Sequence, residues 1–258
     1  MRVKRWRVPG TCTLLLTAGL LTALAGSPAE SGKKERPETF RFFAGRARLQ
    51  DLGGLYWLAL GDRRAYGLFG DLVHEVAFPL AGASTSRGPL RLDALYPVNG
   101  RRIGTARGTV KRHRASGQLR AVGRSGRWKA VELRRSTEAM AALAGEWIDL
   151  TTRRRNREVR LILDPATSVA RVVVTVRGEV SETSGPWMAS DDESIAFLPL
   201  SGDGTYGGLS PLEEIPVKNV PLVSAYSVRG RKLRLLNPLD REDVLTTLER
   251  APEVPPSE

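Results

Sequence analysis

From residue 40 to residue 250 the hydrophobic positions fall in short runs, several alternating strictly with polar ones. Gly, Pro, Asn, Asp and Ser separate the runs at intervals of about ten residues, a rhythm that predicts an antiparallel all-β fold. The first half offers strands at 39–48, 54–60, 65–69, 73–80, 89–95, 102–113, 117–122 and 127–134. In Leu90-Arg91-Leu92-Asp93 and Val131-Glu132-Leu133-Arg134 apolar and charged residues alternate, so each strand should carry one buried and one wet face. Gly61-Asp62, Asn99-Gly100, Ser116-Gly117 and Ser125-Gly126 read as hairpin turns, and the strands should pair in sequence as a meander.

Residues 136–145 break the rhythm. Ser136 or Thr137 can cap a helix, Glu138 suits its first turn, Met140, Ala141 and Leu143 follow, and Gly145 stops it. Beyond this short helix strands resume at 146–152, 158–163, 170–176, 179–184, 195–200, 222–228, 232–236 and 244–250. The segment 201–221, rich in Gly and Pro, is too long for a tight turn and reads as a lid or excursion. The expected architecture is two tandem antiparallel meander barrels, 39–136 and 137–250, joined by the short helix; a single large sandwich is the alternative. Residues 251–258 form a polar, proline-rich tail.

The amino terminus has a different character. Arg2, Lys4, Arg5 and Arg7 precede an apolar run from Thr11 to Leu24, and Ala23-Leu24-Ala25 offers a cleavage pattern before Gly26, which together read as a secretory signal over 1–25. The run is shorter than the roughly 20 residues of a spanning helix, although an uncleaved anchor is the other reading. Residues 26–38 form a charged leader, and the expected compartment is the periplasm or the exterior. Cys12, the single cysteine, falls within the signal, so the mature chain has no thiol for a disulfide, a zinc ligand or a nucleophile.

Candidate chemistry is sparse. His74 and His113 have no His, Cys or carboxylate at ligand spacing, and His113 is flanked by Arg112 and Arg114. No G-x-S-x-G elbow or phosphate-binding G-x-x-x-x-G-K-[ST] loop is present. Asp191-Asp192-Glu193, with Asp203, fits no calcium-loop template and reads as a solvated hairpin tip. These readings lead to a protein without enzymatic activity, cofactor or metal.

Charge is the unusual feature. The formal net charge is +12, and removal of the signal leaves 36 cations against 28 acids, a net +8. Much of it is concentrated in 101–135, where Glu132 is the lone acid and where Arg107, Lys111, Arg112, Arg114, Arg120 and Arg124 are candidates for an anion-binding sheet face. A second cluster comprises Arg153, Arg154, Arg155, Arg157 and Arg160. Two readings are open: arginines that solvate a barrel and blunt its edges, or a face that holds an anionic polymer such as lipopolysaccharide, phospholipid headgroups or nucleic acid. Nucleic acid ranks below envelope polymers, because Trp128 is the one aromatic residue available for stacking.

The second half resembles the lipocalin-type (calycin) barrels at Gly145-Glu146-Trp147, a short helical turn followed by G-x-W at the start of the first strand. The resemblance implies a tryptophan closing the barrel base with a basic side chain, Arg250 or Arg234, packed over it. It also implies a small apolar ligand or lipid held near Trp147, Trp187 and Arg250. The first half resembles β-meander domains of exported bacterial proteins of unknown role, around Gly104 and Trp128. Both resemblances point to binding or scaffolding in the cell envelope rather than to catalysis.

Overall fold

A computed structural model describes residues 39–252 apart from 72, 75, 85–88, 98, 150–156, 201–219 and 239. The expected signal, leader, lid and tail fall on residues outside this set or, for 220–221 and 251–252, at its edges. Both barrels lie within one compact unit, Glu38–Glu258.

The described residues form the expected two closed eight-stranded antiparallel barrels, which rules out the single sandwich. The first barrel is built from β1 (Arg41–Leu49), β2 (Leu52–Leu60), β3 (Arg64–Asp71), β4 (Val76–Ala83), β5 (Pro89–Leu95), β6 (Arg102–Lys111), β7 (Arg114–Ala121) and β8 (Arg124–Glu132). Each strand pairs with the next, and β8 closes on β1. After α1 (Thr137–Leu143) come β9 (Gly145–Asp149), β10 (Arg157–Asp164), β11 (Val169–Val176), β12 (Glu179–Ala189), β13 (Ser194–Phe197), β14 (Leu222–Arg229), β15 (Lys232–Leu236) and β16 (Val244–Arg250), with β16 closing on β9.

Two expected turns are not turns. Ser116-Gly117 lies inside β7 and Ser125-Gly126 inside β8, while the chain reverses at Arg112-His113 and Val122-Gly123. The glycines serve a different purpose from flexibility. A Cβ on Gly117 would lie 1.9 Å from the Arg107 carbonyl oxygen, and one on Gly126 would lie 1.6 Å from that of Arg48. Both face inward where neighbouring strands bend close together, as the tight curvature of a small barrel requires.

Side chains occupy the first barrel in layers that set large residues against small ones. One layer runs Leu90, Gly108, Gly117, Trp128, Ala47 around the wall. The Trp128 indole overlies Gly108, where a Cβ would come within 2.4 Å of the ring. The next layer places Ala115, Ala130 and Gly45 on one side and Tyr56, Phe69 and Phe78 on the other. Trp128 stacks on Tyr56 with ring centroids 4.7 Å apart, and Phe69 stacks on Phe78 at 4.9 Å.

The outer wall of this barrel has two unlike sides. On β2 every residue except Gly53 is buried, because Trp57 and Ala59 face outward and are covered as fully as the inward Tyr56 and Leu58. Outward Trp57, Tyr66 and Leu68 share one apolar cluster with outward Met188, Ala196 and Val223 of the second barrel. Each large side chain covered in this way contributes about 1.5–3 kcal/mol, so the barrels are fastened by an apolar seam as well as by α1. Ser136 caps that helix by accepting from the Ala139 N–H at 3.2 Å, and Met140 and Leu143 are buried beneath it.

Candidate functional site

The side of the first barrel away from the seam is cationic, and strand register explains why. Inward positions on β5 to β8 and β1 are small or apolar, so the alternate positions that face solvent fall into rows around the wall. One row reads Arg91, Arg107, Gln118, Arg127, Arg48, with each residue the direct partner of the next. A parallel row carries Thr109, Ser116, Lys129 and Arg46. Another carries Asp93, Thr105, Arg120 and Ser125, and Asp93 is engaged by Arg102 at 3.0 Å. Arg46, Arg48, Arg91, Arg107, Arg120 and Arg127 are all exposed, and among the described residues none lies in an ion pair.

Of the six anion-binding candidates read from the sequence, Arg107 and Arg120 stand on this wall. Lys111, Arg112 and Arg114 crowd at the β6–β7 turn at one end of the barrel. Arg124 stands at the opposite end, where its Nε donates to Asp51 Oδ1 at 2.8 Å. Sequence reading missed Arg46, Arg48 and Arg91, which are far from the basic segment along the chain. The signal was present in Arg46-Ala47-Arg48-Leu49 and in Leu90-Arg91-Leu92, where the inward Ala47, Leu49, Leu90 and Leu92 oblige the arginines to point out.

Both histidines have carboxylate partners, contrary to the expectation from spacing. His74 Nδ1 lies 2.9 Å from Asp71 Oδ2, three residues back across a turn. Asp71 is buried and also accepts the backbone N–H groups of Gly53, Val73 and His74 at 2.9–3.1 Å. His113 Nδ1 lies 2.8 Å from Glu132 Oε2, a partner brought alongside by the pairing of β7 with β8, where the Glu132 N–H also donates to the His113 carbonyl at 2.9 Å. Arg41 holds the same carboxylate through Nε at 2.7 Å and Nη2 at 2.5 Å, and its Nη2 also donates to the Arg112 carbonyl at 2.5 Å.

Burial opposes ionisation of Glu132, but the hydrogen bonds from Arg41 and then His113 outweigh it and hold the pKa below the ordinary carboxylate value. Asp71 is likewise lowered: burial acts upward, and the hydrogen bonds from His74 and the backbone N–H groups overcome it. A depressed folded-state pKa means that the stabilisation is fully present above the unfolded carboxylate value, near pH 4, and is lost as pH falls through the folded-state value. Thermal midpoints should therefore hold between neutrality and about pH 5 and decline below about pH 4. Glu132→Gln should cost about 1 kcal/mol at neutral pH, after allowance for the solvent exposure of Arg41, and should flatten the acid limb. An acid limb identical in E132Q and wild type would contradict this assignment.

In the second barrel the resemblance-derived residues gather at one end. Trp147 is fully buried and its Nε1 donates to the Leu143 carbonyl at 2.8 Å. The Arg250 guanidinium lies 4.6 Å from the centre of its ring, and Arg250 Nη2 donates to the Ala142 carbonyl at 3.2 Å. Arg234 is exposed on the outer wall, so of the two basic residues Arg250 is the one over the tryptophan. Trp187 is buried, and its Nε1 donates to the Asp164 carbonyl at 3.0 Å. Both indoles are thus bound to backbone and plug the barrel. Towards the other end of the inward face, Asp149 and Thr246 are buried, and among the described residues neither Thr246 Oγ1 nor Arg157 Nε has a hydrogen-bond partner.

The remaining candidates are accounted for locally. Asp191, Asp192 and Glu193 make the β12–β13 turn, where Arg241 donates to Glu193 Oε2 at 2.9 Å and to the Asp192 carbonyl at 2.6 Å; Asp203 lies outside the described residues. Arg160 bonds Glu158 and Glu146, while 153–155 lie outside the described set. Among the described residues no helix is long and apolar enough to cross a membrane. Comparison with protein-family models, with curated proteins and with solved structures gives no match.

Proposed function

We propose that this is an exported, non-enzymatic binding protein of the cell envelope, whose first barrel engages a phosphate-rich anionic partner along its basic outer wall. The observation that carries this reading is the register row Arg91, Arg107, Gln118, Arg127, Arg48, which has no acid in it and no competing ion pair among the described residues. Cations that merely solvated a barrel would be interspersed with acids or matched by them, as Arg124 and Arg102 are. The spread of the charges over a convex wall suits an extended partner better than a small anion, which needs convergent donors in a pocket. Each phosphate neutralised releases counterions, so binding should weaken steeply with salt. Titration of long-chain inorganic polyphosphate into the purified protein should give a log affinity that falls linearly with log salt, with a slope reporting several contacts. Absence of binding at about 50 mM salt, where such contacts are strongest, would sink the proposal.

A second reading rests on a different observation. The buried Thr246 Oγ1 and Arg157 Nε face into the second barrel without hydrogen-bond partners among the described residues, and leaving such atoms unpaired is costly. Together with the lipocalin-like G-x-W end, they support an amphiphile held with its polar group near Thr246 and its apolar part towards Trp187. Native mass spectrometry of protein taken from its own envelope should then show a stoichiometric bound mass. Bare protein would remove this reading and leave the basic wall untouched.

A further inference from the structure

The turns at one end of the first barrel depart from the chemistry that hairpins follow. Val122 and Gly123 join β7 to β8 with φ of +48° and +76°. Two central residues with positive φ define a type I′ loop, whose first position ordinarily takes Asn, Asp or Gly. A β-branched side chain is strained there, yet the residue is valine and it is 45% exposed. On the same rim Val73, in the β3–β4 turn, is 84% exposed, and Tyr96, after β5, is 46% exposed. At the opposite rim the β2–β3 turn holds Asp62 and Arg63, and the β6–β7 turn is Arg112-His113. Among the described residues this end therefore presents three apolar tips beside the paired charges Arg124–Asp51 and His74–Asp71, whereas the turn residues named at the other end are charged or titratable.

Cations stand close behind this rim. Arg120 is two positions before Val122, Arg48 is two before the exposed Gln50 of the β1–β2 turn, and Arg101 closes the turn that Tyr96 opens, its carbonyl accepting the Tyr96 N–H at 2.7 Å. Arg107 and Arg127 lie further up the wall; Gln118 of their row is four residues from Val122, about 13 Å along the strand.

We propose that this end of the first barrel docks end-on against an anionic phospholipid bilayer, with Val73, Tyr96 and Val122 entering the headgroup boundary and Arg48, Arg101 and Arg120 meeting lipid phosphates. The proposal rests on the polyanion reading and narrows it to one source of phosphate. A soluble polymer gains nothing from three apolar turn tips, whereas a bilayer rewards their immersion in proportion to area and accepts a tyrosine with its ring in the boundary and its hydroxyl in water. The arginines add electrostatic attraction that acts over about a Debye length and draws the rest of the wall into play at low salt.

The exported chain, from Gly26 onward and so without the cationic, apolar signal, is tested by co-sedimentation with vesicles of phosphatidylcholine alone and of phosphatidylcholine with about one third phosphatidylglycerol, alongside polyphosphate titration. Wild-type protein should sediment with the anionic vesicles only. Val122→Asn relieves the left-handed strain, so its thermal midpoint should stay level or rise while vesicle binding falls; loss of binding then cannot be loss of fold. The triple variant Val73→Ser, Tyr96→Ser, Val122→Asn should lose about tenfold or more in vesicle partition, with polyphosphate affinity held within about twofold. Undiminished vesicle binding by the folded triple variant would overturn the docking proposal. Wild-type protein that binds polyphosphate but not anionic vesicles would overturn it too, leaving the polyanion reading in place, and binding of neither would overturn both.

Discussion

Exchanging Arg48, Arg91, Arg107 and Arg127 together for glutamine lowers polyphosphate affinity by about a thousandfold at low salt. A cation near an anionic surface is worth about 1 kcal/mol, and four such losses, about 4 kcal/mol, correspond to roughly three powers of ten. The slope of log affinity against log salt becomes shallower by about three, because fewer counterions are released. The fold is expected to survive, since all four side chains are exposed and make no ion pair among the described residues. Exposed substitutions of that kind usually stay within about 0.5 kcal/mol each. The matching control replaces Arg102 and Arg124, whose charges Asp93 and Asp51 already offset at 3.0 and 2.8 Å, and should cost far less per residue. Equal loss per charge removed in the two sets would mean that bulk basicity alone binds, and the register row would lose its role.

Gly126→Ala should unfold the first barrel. Its Cβ would stand 1.6 Å from the Arg48 carbonyl oxygen, 2.6 Å from the Arg48 carbonyl carbon and 2.8 Å from the Leu49 Cα. None of these is the end of a flexible side chain, so the β8–β1 seam that closes the barrel has to open. A cost above about 4 kcal/mol belongs to the exceptional class of single substitutions and is a large share of the 5–15 kcal/mol typical of a whole domain. Gly53→Ala is the control, because a Cβ there meets nothing within 4 Å and no positive φ is involved. Near-ultraviolet circular dichroism reports the loss directly through the Trp128–Tyr56 stack. A folded G126A with the wild-type aromatic signal would show that the strands can separate at this point, contrary to the close approach. The two predictions are linked, since Arg48 and Arg127 are adjacent in the basic row only while β1 and β8 remain paired.

Much of this molecule was legible in order along the chain. Alternation in Leu90-Arg91-Leu92 and its counterparts reports which side chains turn inward, so the all-β class, the sequential meanders and a short helix capped by Ser136 or Thr137 followed from local pattern, and the structure places the cap at Ser136. The resemblance carried by Gly145-Glu146-Trp147 led to the plugged end of the second barrel and to Arg250 or Arg234, of which the structure places Arg250 over the ring. Local pattern failed where a residue's purpose lies on another strand. Gly117 and Gly126 look like turn residues because glycine is permissive anywhere, and the need for an absent Cβ appears only when the carbonyls of Arg107 and Arg48 arrive across the sheet. The partner that His113 and Arg41 share was invisible for the same reason, since Glu132 reaches Arg41 through barrel closure and His113 through the register of β8 on β7.

The candidate site divides along the same line. The sequence by itself determined that the chain is basic, that its cations concentrate between 101 and 135, and that alternation must turn many of them outward. Only the tertiary structure decided that Arg91, Arg48 and Arg46 join that face, that Arg124 is occupied by Asp51, and that the opposite side of the same barrel is sealed by Trp57, Tyr66 and Leu68 against the second barrel. The physical reason is that side-chain direction along a strand is set by the two-residue period of its own backbone. Neighbours across a barrel are set by register and closure between segments far apart in the chain, and the free energy that fixes them comes from the burial of the layers inside.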